Sequence, residues 1–163
     1  MGIMDWDWLA AETAIVERLK GKLQTGPEAW AKQIGTRADL TVVAEEMQHA
    51  PAVWVVYDGH DIREADEQRA AVSLRFLVIL AVSSAIQGRD ESRNQEASRY
   101  LPQIFAALHG WRPPQCIRGL IPVTPPRPYY SPARFAYFPT AWETTIIHST
   151  RVGPVFGRKP GQA

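Results

Sequence analysis

Trp8, Ala11, Ile15, Leu19 and Leu23 follow one another at spacings of three and four, which gathers them on one stripe of a helix. Asp5 or Asp7 is placed to cap its start, and Gly26-Pro27 end it. Residues 28–38 hold no single period, with Trp30 and Ile34 as burial points, and a second short helix is expected over 39–48. Pro51 calls for extended backbone ahead of Ala52-Val53-Trp54-Val55-Val56-Tyr57, a β-branched and aromatic run that predicts a strand stopped by a turn at Asp58-Gly59. The polar residues 60–68 then predict a loop. From Ala71 onward the even positions Val72, Leu74, Phe76, Val78, Leu80 and Val82 are all apolar. The odd positions begin with Ser73 and Arg75 and turn apolar at Leu77 and Ile79. That is a strand buried on one face throughout and on the other over half its length, paired with its predecessor as a long hairpin.

Beyond a polar turn at 87–94, Ala97, Leu101, Ile104, Phe105 and Leu108 return to helical spacing. Pro102 falls among them and predicts either a kink or a helix whose first turn holds it. Gly110 supplies the stop and Pro113-Pro114 prevent continuation. Ten of the 13 prolines follow residue 110, so the last third is expected to be extended and rich in loops. Within it, 117–123 predicts a strand, 124–133 an exposed loop and 134–148 a long final strand, with Pro139 at a sheet edge or bulge. The glycines and prolines of 150–163 leave little to pack, so that stretch is expected to be a flexible or contact-ordered tail following one domain at 1–149. The order helix, hairpin, helix, two strands predicts an α+β fold, a two-layer sandwich with helices on one face of a mainly antiparallel sheet.

With 163 residues, 45% of them hydrophobic, the chain is long enough to bury roughly two thirds of its unfolded surface without disulfides or a structural metal. Its single cysteine, Cys116, has no internal partner, and no CxxC or closely spaced His pair is present, which disfavours zinc-finger and redox-motif readings and fits a reducing compartment. Residues 1–9 have neither the basic start nor the apolar run of a signal peptide, so the mature chain is expected to begin near Met1. The longest apolar stretch, 70–86, carries Arg75 and three serines and is shorter than the ~20 residues of a membrane helix. The net charge of +1 hides two opposed regions: residues 1–100 hold 11 basic and 16 acidic side chains, residues 101–163 hold seven and one. Acidic and basic portions on one chain either are simply solvated or attract each other between copies, which is one route to head-to-tail rings.

Candidate chemistry is sparse. Asp58, His60 and Asp61 form the most enzyme-like cluster, two carboxylates and an imidazole at a strand end, yet Asp-Gly followed by polar residues is also what a turn needs. His49, His109 and His148 fall in separate elements, Cys116 suits a small buried apolar side chain, and no glycine-rich phosphate loop occurs. No catalytic residue, metal ligand or cofactor is assigned. The more unusual feature is Arg127, Tyr129, Tyr130, Arg134 and Tyr137, stiffened by Pro128 and Pro132, the residue types that dominate protein interfaces, although aromatics there would also cover a core edge. Together with Arg118 they make the candidate partner-binding set. Arginine exceeds lysine 14 to 4, which favours bidentate contacts. Six Arg and one Lys spread over 63 residues make a thin footprint for nucleic acid, so no sequence-specific nucleic-acid partner and no membrane is expected.

One succession of segments resembles the tail-terminator proteins of Mu-like bacteriophages: Ala14-Ile15-Val16-Glu17-Arg18-Leu19, then Pro51 to Gly59, then Leu108-His109-Gly110-Trp111-Arg112-Pro113, then Tyr129-Tyr130 with Arg134-Phe135-Ala136-Tyr137-Phe138-Pro139. The resemblance spans roughly 8–147 and rests on order and spacing. It implies a non-enzymatic virion protein that caps the tail tube as a six-membered ring, ends tube growth and offers a surface for head joining, made in the host cytoplasm. Its partners would be further copies of itself, the tube protein, neck or connector proteins and, in a contractile tail, the sheath. Two rival readings stand beside it. One is a neck or head-completion connector; the other, from a different class, is a small metal-dependent hydrolase using Asp58, His60 and Asp61.

Overall fold

The computed structural model describes residues 7–36, 48–83, 90–132 and 134–150. The helix expected at 39–48 and the tail at 151–163 lie outside them, Gln48 excepted. Helix α1 (Ala10–Leu19) closes in a π-helical turn (Lys20–Gln24), and Ala11, Ile15, Leu19 and Leu23 are buried as their spacing requires. The expected aspartate cap is not formed by Asp7: Leu9 holds the cap position of α1 without a side-chain cap, and Asp7 makes a turn ahead of it by accepting the Leu9 backbone N–H at 2.9 Å, while extended Thr25 followed by left-handed Gly26 ends the helical run. Strands β1 (Gln33–Thr36), β2 (Ala52–Ala65) and β3 (Arg69–Ser83) come next, then α2 (Asp90–Leu108), β4 (Ile121–Val123), β5 (Tyr129–Tyr130) and β6 (Phe135–Ser149).

The six strands make one sheet in the order β1-β2-β3-β6-β4, with β5 also on β6; every pairing is antiparallel except β1 with β2. Val72, Leu74, Phe76, Val78, Leu80 and Val82 are at most 1% exposed and join Val53, Val55, Phe138, Trp142 and Ile146 in a core closed by Ile15, Leu19, Ile104 and Leu108 of the helices. The two-layer α+β expectation therefore holds. The helices are tied to each other by polar as well as apolar contact. Arg18 donates to the Ala107 carbonyl at 3.0 Å, where a cation complements the C-terminal end of α2, and lies 5.3 Å from the centre of the Trp111 ring. Trp30 stacks on Tyr100 at 4.1 Å and donates to Gln103. On the opposite sheet face Trp54 is also fully buried, against Ala52 and Ala81, and donates its ring N–H to Gln48 at 2.7 Å.

Several expected boundaries move. The strand from Ala52 does not stop at Asp58-Gly59 and 60–68 is not a loop: β2 continues to Ala65, and the pairing shifts at Tyr57/His60 and again at Ile62/Glu64. Gly59, at φ +101°, serves a β-bulge, which needs the left-handed backbone as much as a turn does. The true turn is at Asp66, whose Oδ1 accepts the N–H groups of Gln68 and Arg69 at 2.7 and 2.9 Å. Only Ile121–Val123 of the expected strand at 117–123 is a strand, because Leu120 is already committed to a reciprocal backbone pair with Gly110 and Trp111. A Cβ at Gly119 would collide with the Gly110 carbonyl, so that crossing needs glycine. The loop at 124–133 contains β5, and β1 was not foreseen. Helix α2 begins at Asp90, inside the expected polar turn, and carries Pro102 in its interior, where both Pro102 and Ser98, the residue whose carbonyl loses its partner, are exposed to water. Pro139 lies in the gap between β5, which pairs with Tyr137 and Ala136, and β4, which pairs with Ala141 to Glu143, so its missing N–H breaks no described ladder on that side.

Candidate interaction surface

Strand β6 has 15 residues and therefore runs about 45 Å from one end of the sheet to the other. Its two ends carry different chemistry.

At the first end, β5 lays Tyr129 and Tyr130 beside Tyr137 and Ala136. Alternation sends the two tyrosines to opposite faces. Tyr129 stacks on Tyr137 with ring centres 6.1 Å apart and stays 60% exposed. Tyr130 meets Phe138 edge-on and donates its hydroxyl to Asn94 of α2 at 2.7 Å, which leaves it 38% exposed. Arg127, two residues before β5, and Arg134, in the turn to β6 at φ +75°, are both exposed and make no ion pair among the described residues. Tyr137 is half-buried and its hydroxyl takes a hydrogen bond from Gln48, so it braces the sheet as well as carrying Tyr129. The fold thus gathers Arg127, Tyr129, Tyr130, Arg134 and Tyr137. Arg118 stands apart: its carbonyl accepts from Thr144 and its neighbour Ile117 bonds Thr145, about 25 Å along β6 from Tyr137.

At the second end the outer half of β2 runs on past the bulge to the turn as an arm paired with β3, which β6 still flanks as far as Arg69 beside Ser149, and every residue from His60 to Arg69 is exposed. Residues 58–69 hold five carboxylates against Arg63 and Arg69. Asp58 is held by Arg75 at 2.8 Å, Arg63 by Glu143 at 3.6 Å, and Asp66 by its turn N–H groups, which keep its carboxyl below the usual carboxylate range. Asp61, Glu64 and Glu67 carry no ion pair among the described residues. Ile62, 55% exposed, is the arm's one large apolar side chain. This arm was missed as a surface because its polarity suggested a loop; the lone isoleucine in a polar run was the available signal.

The enzyme-like trio does not converge. Asp58 belongs to Arg75, whereas the His60 ring shares a 2.8 Å hydrogen bond with the Tyr57 hydroxyl and sits edge-on to Trp8 at 5.0 Å. No group of three or more His, Cys, Asp or Glu among the described residues is placed to hold a metal. A shallow, open depression of about 280 Å³ at the arm's tip is lined by Glu64, Asp66, Arg69, three alanines and Ile147, with no convergent donor set. Cys116 is buried, and burial pushes its thiol up despite Thr144 and Arg112, the opposite of an activated nucleophile. Among the described residues no helix is long and apolar enough to cross a membrane.

No curated protein matches the chain. The family model described as phage tail terminator protein matches residues 4–151, which takes in both helices, the whole sheet and both ends of β6. Over a match of that extent the chain belongs to the phage tail terminator family, a family of structural components of the phage tail.

Proposed function

We propose that this protein is a non-enzymatic ring subunit that caps the tail tube, ends its polymerisation and presents the surface on which the head joins. The observation that carries the reading is the family match over 4–151. The separation of a cationic, aromatic end from an acidic arm along one sheet supports it, since a contact between unlike surfaces of identical subunits closes a ring when the rotation permits. Termination is then geometric: one ring face matches the tube end, the other does not, and no further tube ring adds. The partners are other copies of the chain, the tube protein, neck or connector proteins and, in a contractile tail, the sheath. Arg118, Arg127, Tyr129, Tyr130, Arg134 and Tyr137 are the proposed contact residues, 1–149 is the proposed domain with 150–163 its tail, and assembly takes place in the host cytoplasm before the protein enters the virion.

Deleting the gene and measuring tail lengths by electron microscopy tests the reading. Tails of uncontrolled length are expected. Tails of normal length left unattached to heads would move the protein to the neck, and normal attached tails would overturn both placements.

A further inference from the structure

The outer edge of β2 is half covered. Strand β1 pairs with it only from Ala52 to Val55, so from Val56 to Ala65 no described strand lies on that side. An open edge of that length is a template for another chain, and folded proteins guard such edges with charge or bulges. Both devices are present here, but the guard is selective. The carboxylates left without an ion pair, Asp61, Glu64 and Glu67, are all of one sign and surround the exposed Ile62. They repel a second copy of the same edge and favour a partner that brings guanidinium groups and an apolar face.

This chain carries such a surface. Among the described residues Arg127 and Arg134 make no ion pair, and Tyr129 between them in sequence is the most exposed large hydrophobic side chain, at 60%. The two surfaces do not meet within one molecule: through β3, Asp61 and Ile62 stand level with Thr145 and Ile146 of β6, about 25–30 Å along the strand from Tyr137, where Tyr129 lies. They can meet only between copies. We infer that the acidic arm of one subunit, at Asp61, Ile62 and Glu64 on the open edge of β2, docks on the Arg127–Tyr129–Arg134 end of a second copy of this chain. The contact is heterologous, arm to opposite end, so each copy gives one surface and receives the other. It deepens the proposed function, resting on the ring reading and naming the surfaces that would close the ring.

The test uses the full chain, followed by analytical ultracentrifugation over a concentration and salt series, with ring symmetry read by negative-stain microscopy. Two double variants reverse the charges, Asp61→Lys with Glu64→Lys and Arg127→Glu with Arg134→Glu. All four positions are exposed, so circular dichroism and melting of the monomer should not change. Each variant alone is expected to weaken self-association by about tenfold or more, and mixing the two, which lets a cationic arm meet an anionic end, should restore it. Wild-type association should fall as salt rises. The inference is overturned if either variant associates as the wild type does, if the mixture gains nothing, or if the wild type stays monomeric throughout. Rings that persist in both variants remove this contact and leave the ring standing, whereas the tail-length experiment judges the terminator reading independently.

Discussion

Strands β2 and β3 pair along nearly their whole length, yet the two halves of that hairpin are built on different physics. In the half nearest the helices, Val53 and Val55 face Phe76, Val78 and Leu80 under α1 and α2, while Trp54 fills the other face. Along the arm the same backbone ladder continues, but the two strands differ: β3 stays buried at Val72, Ser73 and Leu74 beside β6, whereas β2 from His60 to Ala65 is exposed and charges replace its apolar alternation. Burial dictates sequence on both strands in the first half; in the second it dictates β3 alone, and the outer strand lies against β3 with its side chains in water.

The contrast is broken most severely by removing core volume. Phe76→Ala is expected to cost about 3–5 kcal/mol, against at most about 0.5 kcal/mol for Ile62→Ala on the same hairpin, read by urea denaturation of the two variants. Equal costs would mean that the arm is packed as tightly as the core.

Gly59 sits at the junction of the two halves with its φ at +101° and open space around it, so the penalty for a side chain there is backbone strain alone. Gly59→Ala should cost about 1–3 kcal/mol and speed amide exchange from His60 to Gln68 more than in the buried half of β3.

A smaller effect is expected from the Asp58–Arg75 pair, whose side chains are 39% and 30% exposed and therefore screened by water. A double-mutant cycle with Asp58→Asn and Arg75→Ala should return about 0.2–1 kcal/mol of coupling, shrinking in high salt. Coupling that ignores salt would assign the interaction to the 2.8 Å hydrogen bond from Arg75 Nε to Asp58 Oδ2 rather than to the opposed charges.

The mildest test concerns the arm's tip. Backbone N–H groups from Gln68 and Arg69 lower the Asp66 carboxyl, so the folded chain holds that proton less tightly than the unfolded one. The stabilisation is present above the unfolded value of about 4 and is lost as pH falls through the lowered folded value. Melting temperatures compared between Asp66→Ala and wild type should converge in that acid range and differ only slightly at neutral pH.

The buried half of the sheet was legible because the period-two pattern of Val72 to Val82 has one cause, a covered face, and the stripe from Ala11 to Leu23 likewise. The arm was not legible, since a strand with no covered face has no pattern, and Asp58-Gly59 suits a bulge as well as a turn. Strand β1 escaped notice for a related reason: Gln33–Thr36 is short and its parallel pairing with β2 is fixed by contacts distant in sequence. Of the proposed contact residues, the Arg, Tyr and Pro types of 127–137 are visible in the sequence but their placement is not, and the fold keeps Arg118 apart from the rest.

By itself the sequence determined the two helices, the strand core, the absence of a nucleotide loop and the opposed charges of its two regions, because periodicity and composition record local burial and charge. Tertiary structure alone decided that the acidic residues lie on an open strand edge and the arginines and tyrosines at the far end of the same sheet. Which surfaces face each other depends on register and strand order, and those follow from long-range pairing that no short window of residues contains.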